Sequence, residues 1–307
     1  MRSKALLLFS GGLDSILASK VLLNQGIKVT PVYFKSYFFG PEIAKKSAKE
    51  IGLKLKVVDI SKEHLKIVKN PKFGYGKSMN PCLDCHLLML KKAKEIMKKE
   101  KYDFVGTGEV LGERPMSQNI QALKILEEKS SLKGYLLRPL SAKLLEPTIP
   151  EKKGLVDRER LLKIQGRSRK EQIELAKKYK INNYPQPAGG CLLTDLEFGK
   201  KLKELFNIAK KIDKKDIELL KLGRHFLEKN HKIVIGRNEK ENKEIKKLVK
   251  KGDILIEMKN YPGPLTLIRN YQGKIKEEII EKAKNLTQYY SVKSRDKKDV
   301  LFKVKKI

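Results

Sequence analysis

Two groups of residues in this sequence have the types and spacing to do chemistry. The first is Ser10-Gly11-Gly12-Leu13-Asp14-Ser15, which follows the apolar run Ala5-Leu6-Leu7-Leu8-Phe9. Paired glycines allow a positive φ and let backbone amides approach a ligand, and a helix opening behind them adds a partial positive charge. With the Ser10 and Ser15 hydroxyls as further donors, the turn forms an anion nest suited to pyrophosphate. Asp14 would be repelled by bare phosphate, so its expected task is to fix the turn or to help hold Mg²⁺. No Gly-Lys-Ser/Thr follows and no Gly-x-Gly-x-x-Gly is present, which separates this loop from the two commoner phosphate-binding turns.

The second group is the three cysteines. Cys82-Leu83-Asp84-Cys85 is entered through Asn80-Pro81 and leads into a helical pattern, and Cys191 lies far downstream after Gly189-Gly190. An odd number of cysteines without a secretory signal argues against a disulfide framework and for a reducing compartment. Two thiols in Cys-x-x-Cys spacing can share one face of a metal or cluster, and a helix start lowers thiolate pKa. Three thiolates fall one short of a closed tetrahedral zinc site, but they suit a cluster that keeps one iron open to hold sulfide. A persulfide relay uses the same residues, one cysteine carrying sulfur and another resolving the bond. His86 as a fourth ligand would allow zinc, and inert core thiols are the plain alternative, against which stands their position in loops marked by proline and glycine.

These groups need a scaffold. Up to residue 140, short apolar β-branched runs alternate with helix-period segments, the pattern of βαβ units. Strands are expected over residues 5–9, 29–34, 55–59, 104–106 and 135–137, and helices over 15–24, 41–51, 87–99 and 117–126. Right-handed crossovers then put the ligand at the carboxyl ends of the strands. Pro139, Pro147 and Pro150 open a helical extension from about residue 150, with helices over 155–163 and 169–179, the second capped by Ser168. A breaker-rich loop over 184–191 and a helix over 195–206 follow. A charged stretch at 210–215 predicts the joint to a second unit, with helices over 239–250 and 277–285, strands over 232–236, 254–258 and 265–269, and an edge strand over 300–304. The expected fold is therefore α/β, a doubly wound, mainly parallel sheet with a helical extension (1–209), followed by a small α+β domain (210–307).

Lys plus Arg number 69 against 36 Asp plus Glu, a formal charge of +33, which draws polyanions toward the surface. A Lys-rich compositional bias supplies part of that excess. The segment Lys163-Ile164-Gln165-Gly166-Arg167-Ser168-Arg169-Lys170 sets cations around a helix start, where they oppose the helix dipole, so an anionic partner is expected there. No apolar run reaches the ~18 residues of a membrane span, and a cytoplasmic protein is expected.

The loop resembles that of the PP-loop ATP pyrophosphatases, whose signature is Ser-Gly-Gly-x-Asp-Ser at the end of the first strand. Gly106-Thr107-Gly108-Glu109, Leu111-Gly112, Ser117-Gln118-Asn119 and Leu137-Arg138-Pro139-Leu140 resemble segments that 4-thiouridine synthetases carry after the fourth strand and in the strand beyond it. The resemblance implies ATP-dependent adenylation of a uridine carbonyl oxygen in tRNA, loss of pyrophosphate, and displacement of AMP by sulfur drawn from a cysteine desulfurase or free sulfide. It implies Ser10, Gly11, Gly12, Asp14, Ser15, Phe34, Gly106, Thr107 and Gly108 as nucleotide-binding residues, and Asp14, Cys82, Cys85 and Cys191 as catalytic ones. The cysteine set resembles that of cluster-dependent tRNA thiolases, in which three cysteines bind [4Fe-4S]. Downstream, Gly236-Arg237-Asn238, Gly252-Asp253 and Pro262-Gly263-Pro264 resemble the RNA-binding domain of NFACT proteins, which implies RNA contacts by Arg237, Asn238 and Lys259, beside those of Arg167 and Arg169. Two rival readings stay open: a PP-loop ligase or sulfurtransferase acting on a small molecule, and a non-catalytic RNA-binding protein.

Overall fold

Strand β1 (Lys4–Leu8) is the hub of a five-stranded parallel sheet in the order β3-β2-β1-β4-β5, with β2 at Lys28–Lys35, β3 at Lys56–Asp59, β4 at Phe104–Thr107 and β5 at Leu136–Leu137. Its side chains alternate between two cores, as a strand covered on both faces requires. Ala5 and Leu7 join the cluster under helix α1 (Leu13–Leu23), whereas Leu6 joins the cluster under a later, longer helix. The order reverses between β1 and β4, so the loops leaving these two strands face one crevice at their carboxyl ends. The computed structural model describes residues 3–185 and 191–307 and divides into two units, Met1–Cys191 and Leu192–Ile307. The middle of the breaker-rich loop expected over 184–191 lies outside the described residues.

Helices α2 (Glu42–Glu50), α3 (Ser61–Lys69), α4 (Cys82–Glu100) and α5 (Ile120–Ser130) complete the α/β layers. Helix α4 begins at Cys82 itself, so the cysteine pair occupies its first turn and not the loop before it. Asp84 in that turn accepts from the amides of Lys72 and Phe73, both at 3.0 Å, which ties down the segment after α3. The four-residue α6 (Ile149–Lys152) carries a Thr148/Glu151 capping box. The helix expected over 155–163 does not form. Instead the Leu162 and Ile164 amides donate to Pro139 and Leu140, and the Lys143 amide donates to Leu162, so extended backbone pairing outweighs local helix preference. Helix α7 (Lys170–Lys178) then packs against α1 through residues that include Ala176.

The second unit starts earlier than the charged stretch at 210–215 suggested. Helix α8 (Leu196–Ile208) belongs to it because the buried Lys232 ammonium donates to Lys201 O (3.1 Å) and Glu204 Oε2 (2.8 Å), and Gln272 donates to Ile208 O (2.7 Å). After α9 (Lys214–Leu220), strands β6 (Arg224–Glu228), β7 (His231–Ile235), β8 (Ile254–Met258), β9 (Thr266–Asn270) and β10 (Phe302–Lys306) form an antiparallel sheet in the order β10-β8-β9-β7-β6. One face, with Ile233, Ile235 and Ile268, takes α11 (Glu277–Tyr289) through Ile279, Ile280 and Ala283. The other face, with Val234 and Leu267, takes Leu219 of α9 and Ile245 of α10 (Glu239–Lys247).

Arg269 is 1 % exposed, yet it lies on Asp253 (Nη2 to Oδ2 2.7 Å) and Asp216 (Nη1 to Oδ1 3.2 Å), joining β9, the β8 entrance and α9. Replacing it by Met strands two buried carboxylates. Arg269→Met is expected to lower the unfolding free energy of the second unit by about 3–5 kcal/mol, measured by urea denaturation; a loss within experimental error would mean that the triad is dispensable.

Candidate active site

The loop after β1 is shaped by its own hydroxyls. Ser15 Oγ donates to Gly12 O (2.8 Å) and accepts from the Gly11 amide (3.1 Å), and Ser10 Oγ accepts from the Gly12 amide (3.2 Å). Gly11 has φ +81°, and a Cβ there would lie 2.7 Å from Ala44 Cα. Only glycine fits. Helix α1 opens at Leu13, so the amides of Leu13, Asp14 and Ser15 have no intrahelical acceptor and point to the crevice end of the sheet.

The loop after β4 closes on this turn. A Cβ on Gly108 would stand 2.7 Å from Ser15 N and 2.8 Å from Asp14 C, so the two backbones are in direct contact. The next residue, Glu109, accepts from Thr107 Oγ1 (3.0 Å), Arg138 Nε (2.9 Å) and His86 Nδ1 (3.1 Å). Burial alone would raise its carboxyl, but Arg138 and His86 outweigh burial and hold it down at about 2. His86 follows Cys85 on α4, so these contacts run without a break from the phosphate loop to the turn that carries the cysteine pair.

Asp14 lies in a charged pocket of its own. Burial pushes its carboxyl up, while Arg169, its own amide, Arg114 and Gln172 pull it back. Glu113 is raised by burial and by Asp14 in turn. Arg169 is brought there because Gly166 N donates to Leu111 O (2.7 Å), pinning the lead into α7 against the loop after β4. The expected RNA-contacting Arg169 therefore faces Asp14, whereas Arg167 is exposed. Asp14 Oδ1, Arg169 Nε and both amide atoms of the fully buried Gln172 make no hydrogen bond of full geometry among the described residues, although Gln172 lies near enough to Asp14 to act on its carboxyl. Buried polar atoms left unsatisfied are costly, and several together mark a place where a ligand supplies the missing partners.

The thiols are brought together as well. Burial pushes the Cys85 thiol far up, and Cys191, Cys82 and Asp84 act on it in the same direction. Cys191 also acts on Tyr33, pushed up to about 12 first by burial and then by Glu42. Cys85 Sγ lies 2.7 Å from His64 Nε2, whose Nδ1 lies 2.6 Å from Ser36 Oγ. Burial takes His64 down to about 4, so the ring is neutral near pH 7, with one nitrogen donating and the other accepting. Cys82 Sγ, half-buried, accepts from Asn80 Nδ2 at 3.3 Å.

Other expected site residues have structural tasks. Phe34 is a core residue, 3 % exposed among Leu90, Ala93 and Met97. Gly106 is buried against Leu7, and Thr107 serves Glu109. In the second unit Arg237 lies on Glu241 (Nε to Oε1 2.9 Å) and the Asn238 side chain caps α10, while Lys259 is exposed at the end of β8. Sequence reading missed His64, Ser36, Arg114 and Gln172. Gln172 alone left a signal, three residues after Arg169 and hence on the same helical face.

Two family models match the chain, one in each unit. Residues 1–144 match the family model described as thiamine biosynthesis protein (ThiI), and residues 223–307 match that of the NFACT protein RNA binding domain. The resemblance holds at both ends of the chain. A probable tRNA sulfurtransferase from Finegoldia magna is 32 % identical over 143 residues, 45 % of this chain and 36 % of that protein. A tRNA-specific 2-thiouridylase from Sulfurimonas denitrificans is 32 % identical over 120 residues, covering 35 % of each. The matched stretch thus spans little more than a third of these relatives. A solved 4-thiouridine synthetase in complex with RNA and ATP shares 20 % identity at a TM-score of 0.38, over 58 % of this chain and 52 % of its own.

Two consequences are measurable. Gly108→Ala forces the β4 loop off the α1 turn, with an expected cost of about 1–3 kcal/mol measured by urea denaturation; unchanged stability would mean that the two loops are not in close contact. Glu109 ionises at about 2 in the fold against 4.5 when unfolded, so its stabilisation is complete above pH 4.5 and lost as pH falls toward 2. In Arg138→Met the carboxyl loses its main charge partner and its folded pKa rises toward or past the unfolded value, so the protein is expected to start less stable near pH 7 but to lose less stability between pH 4.5 and 2, measured by urea denaturation at each pH; an unchanged pH dependence would count against the pairing.

Proposed function

We propose that this chain is an ATP-dependent tRNA sulfurtransferase that converts a uridine to 2- or 4-thiouridine. The observation that carries the reading is the unbroken run of contacts from the phosphate loop through Gly108, Glu109 and His86 to the turn bearing Cys82 and Cys85. ATP phosphates meet the amides after β1, and the uridine carbonyl oxygen attacks the α-phosphate as pyrophosphate leaves. Sulfur then adds at the activated carbon, and AMP departs with the electron pair of the C–O bond. Asp14 would help hold Mg²⁺, which when bound would offset phosphate charge and ease the departure of pyrophosphate. Arg169 and Arg114 flank the same place.

A [4Fe-4S] cluster on Cys82, Cys85 and Cys191 would supply sulfide at an open iron. Cys82 and Cys191 both act on Cys85, so the three thiols that would hold it share one region, while Cys85 Sγ is engaged by His64 at 2.7 Å. The same thiols support a persulfide relay, which needs no metal. Cys82 and Cys191 are both partly accessible, and Cys85 is buried. Persulfide sulfur on one of the accessible pair adds to the activated carbon, and the other thiolate attacks the mixed disulfide, releasing thiouridine. The Cys82–Cys191 disulfide left behind is reset by sulfide, which splits it into thiol and persulfide, or by an external thiol followed by loading from a cysteine desulfurase. Free thiols suit a cytoplasmic setting, and the excess of cations suits tRNA.

Protein whose Cys82–Cys191 pair has first been oxidised to the disulfide is expected, with unmodified tRNA, ATP and sulfide, to yield thiouridine by nucleoside mass spectrometry, with one AMP per thiolation. Asp14→Asn is expected to cut AMP formation by roughly 100-fold or more while tRNA binding persists. Cys82→Ser and Cys191→Ser are expected to lose thiolation but still release pyrophosphate, and Cys85→Ser to keep both. About four irons per chain with dependence on all three thiols would hand the transfer to a cluster, and no thiouridine from any tRNA would end the reading.

A further inference from the structure

Four arginines lie in the second unit, at positions 224, 237, 269 and 295, and the fold uses them in two ways. Arg237 and Arg269 are neutralised by carboxylates. Arg224 and Arg295 have no carboxylate at ion-pairing distance among the described residues, and each lies over a tyrosine instead. Arg224 Cζ is 4.6 Å from the Tyr290 ring centroid, and Arg295 Cζ is 5.1 Å from that of Tyr289. The two rings follow one another at the end of α11, 5.0 Å apart and nearly perpendicular, with Phe226 5.9 Å beyond Tyr290.

Helix geometry explains the arrangement. Tyr290 continues the apolar face of α11 onto the sheet, while Tyr289, rotated about 100° around the axis, is turned outward and is 56 % exposed. The chain beyond is held in place. Gln288 Nε2 donates to Ser294 O (3.0 Å) and Lys297 O (2.7 Å), Ser294 Oγ lies 3.1 Å from Met258 Sδ, and Arg295 Nε donates to Tyr289 O at 2.8 Å. Arg295 is thus fixed beside the ring. The same short segment carries the cations Lys293, Lys297 and Lys298, and of its two carboxylates, Asp296 and Asp299, the second accepts from Tyr261 Oη (2.8 Å).

A ring left mostly in water costs the fold its burial, and guanidinium groups held against rings contribute little to stability at a surface. We propose that Tyr289, Tyr290, Arg224 and Arg295 form a stacking platform for unpaired nucleotides of an RNA. Bases lie on the Tyr289 ring and the Arg295 guanidinium, and phosphates meet Lys293, Lys297 and Lys298. An acidic peptide would use these charges and leave the rings without a task; a nucleotide uses both. The inference rests on the tRNA reading above and names the surface that holds the substrate, which the Arg237 and Asn238 side chains, already engaged within the fold, do not offer.

The chain contains no tryptophan, so Tyr289→Trp in the full chain places a single reporter on the platform. Unmodified tRNA and a short single-stranded oligoribonucleotide are both expected to quench its emission, and inorganic polyphosphate is not. Tyr289→Ala is expected to weaken tRNA binding roughly 5- to 100-fold, and Arg295→Lys is expected to weaken it less than Arg295→Ala. Unchanged tRNA affinity in Tyr289→Ala, or equal quenching by polyphosphate, overturns the platform and leaves thiolation standing. Polyglutamate quenching as strongly as RNA overturns it in favour of a protein partner. RNA-dependent quenching in a protein that makes no thiouridine keeps the platform and removes the thiolase reading.

Discussion

The first unit is organised around one carboxylate removed from water. Glu109 receives hydrogen bonds from Thr107, Arg138 and His86, and so binds the end of β4, the residue after β5 and the first turn of α4 to a single point. Taking that charge out of solvent is expensive, and the expense is offset only while all three donors stay in place. Arg138 is itself 1 % exposed and also reaches Glu127 of α5, so the donors are as constrained as the acceptor. Because Gly108 presses on Asp14 and Ser15 from the adjacent position, any shift of Glu109 reaches the phosphate loop directly.

That constraint explains a division of labour near the crevice. Groups with a complete set of partners, such as Glu109 and Arg138, give rigidity. Asp14, Arg169 and Gln172 keep buried atoms without a hydrogen bond of full geometry among the described residues, which makes the pocket unfavourable when empty and favourable when a polar ligand fills it. His64 belongs to the rigid group. Held between Ser36 and Cys85 and flanked by the rings of Phe38 and Phe39 at 5.6 and 5.3 Å, it fixes the inner thiol while Cys82 stays partly accessible.

The parallel sheet was legible because β1, β2, β4 and their glycine-marked loops follow the βαβ pattern, in which local preference and burial agree. Helix α3 escaped notice because Ser61–Lys69 carries few apolar residues and is held by the single buried pair His64 and Val68, with Ile60 before it. Strand β6 reads Arg-His-Phe-Leu-Glu, and it is a strand only because β7 offers a partner. Residues 155–163 have helical periodicity, but Leu161 and Ile164 are buried by extended pairing with the Pro139 segment, a long-range contact that no local window reveals. The contacts that Arg237 and Asn238 make within the fold were not legible from charge and polarity for a related reason. A side chain that can meet RNA can also meet its own helix, and the Glu241 that decides between them follows in the same turn.

Strand β10 closes one side of the second sheet with the sequence Phe-Lys-Val-Lys-Lys, and its outward row of amides and carbonyls would accept another chain's strand. Lysines at 303, 305 and 306 surround the aliphatic Val304 with like charge, so a second copy approaching edge-on meets electrostatic repulsion before any ladder can form. The surplus of cations therefore has a second effect, opposing edge-to-edge pairing at this strand.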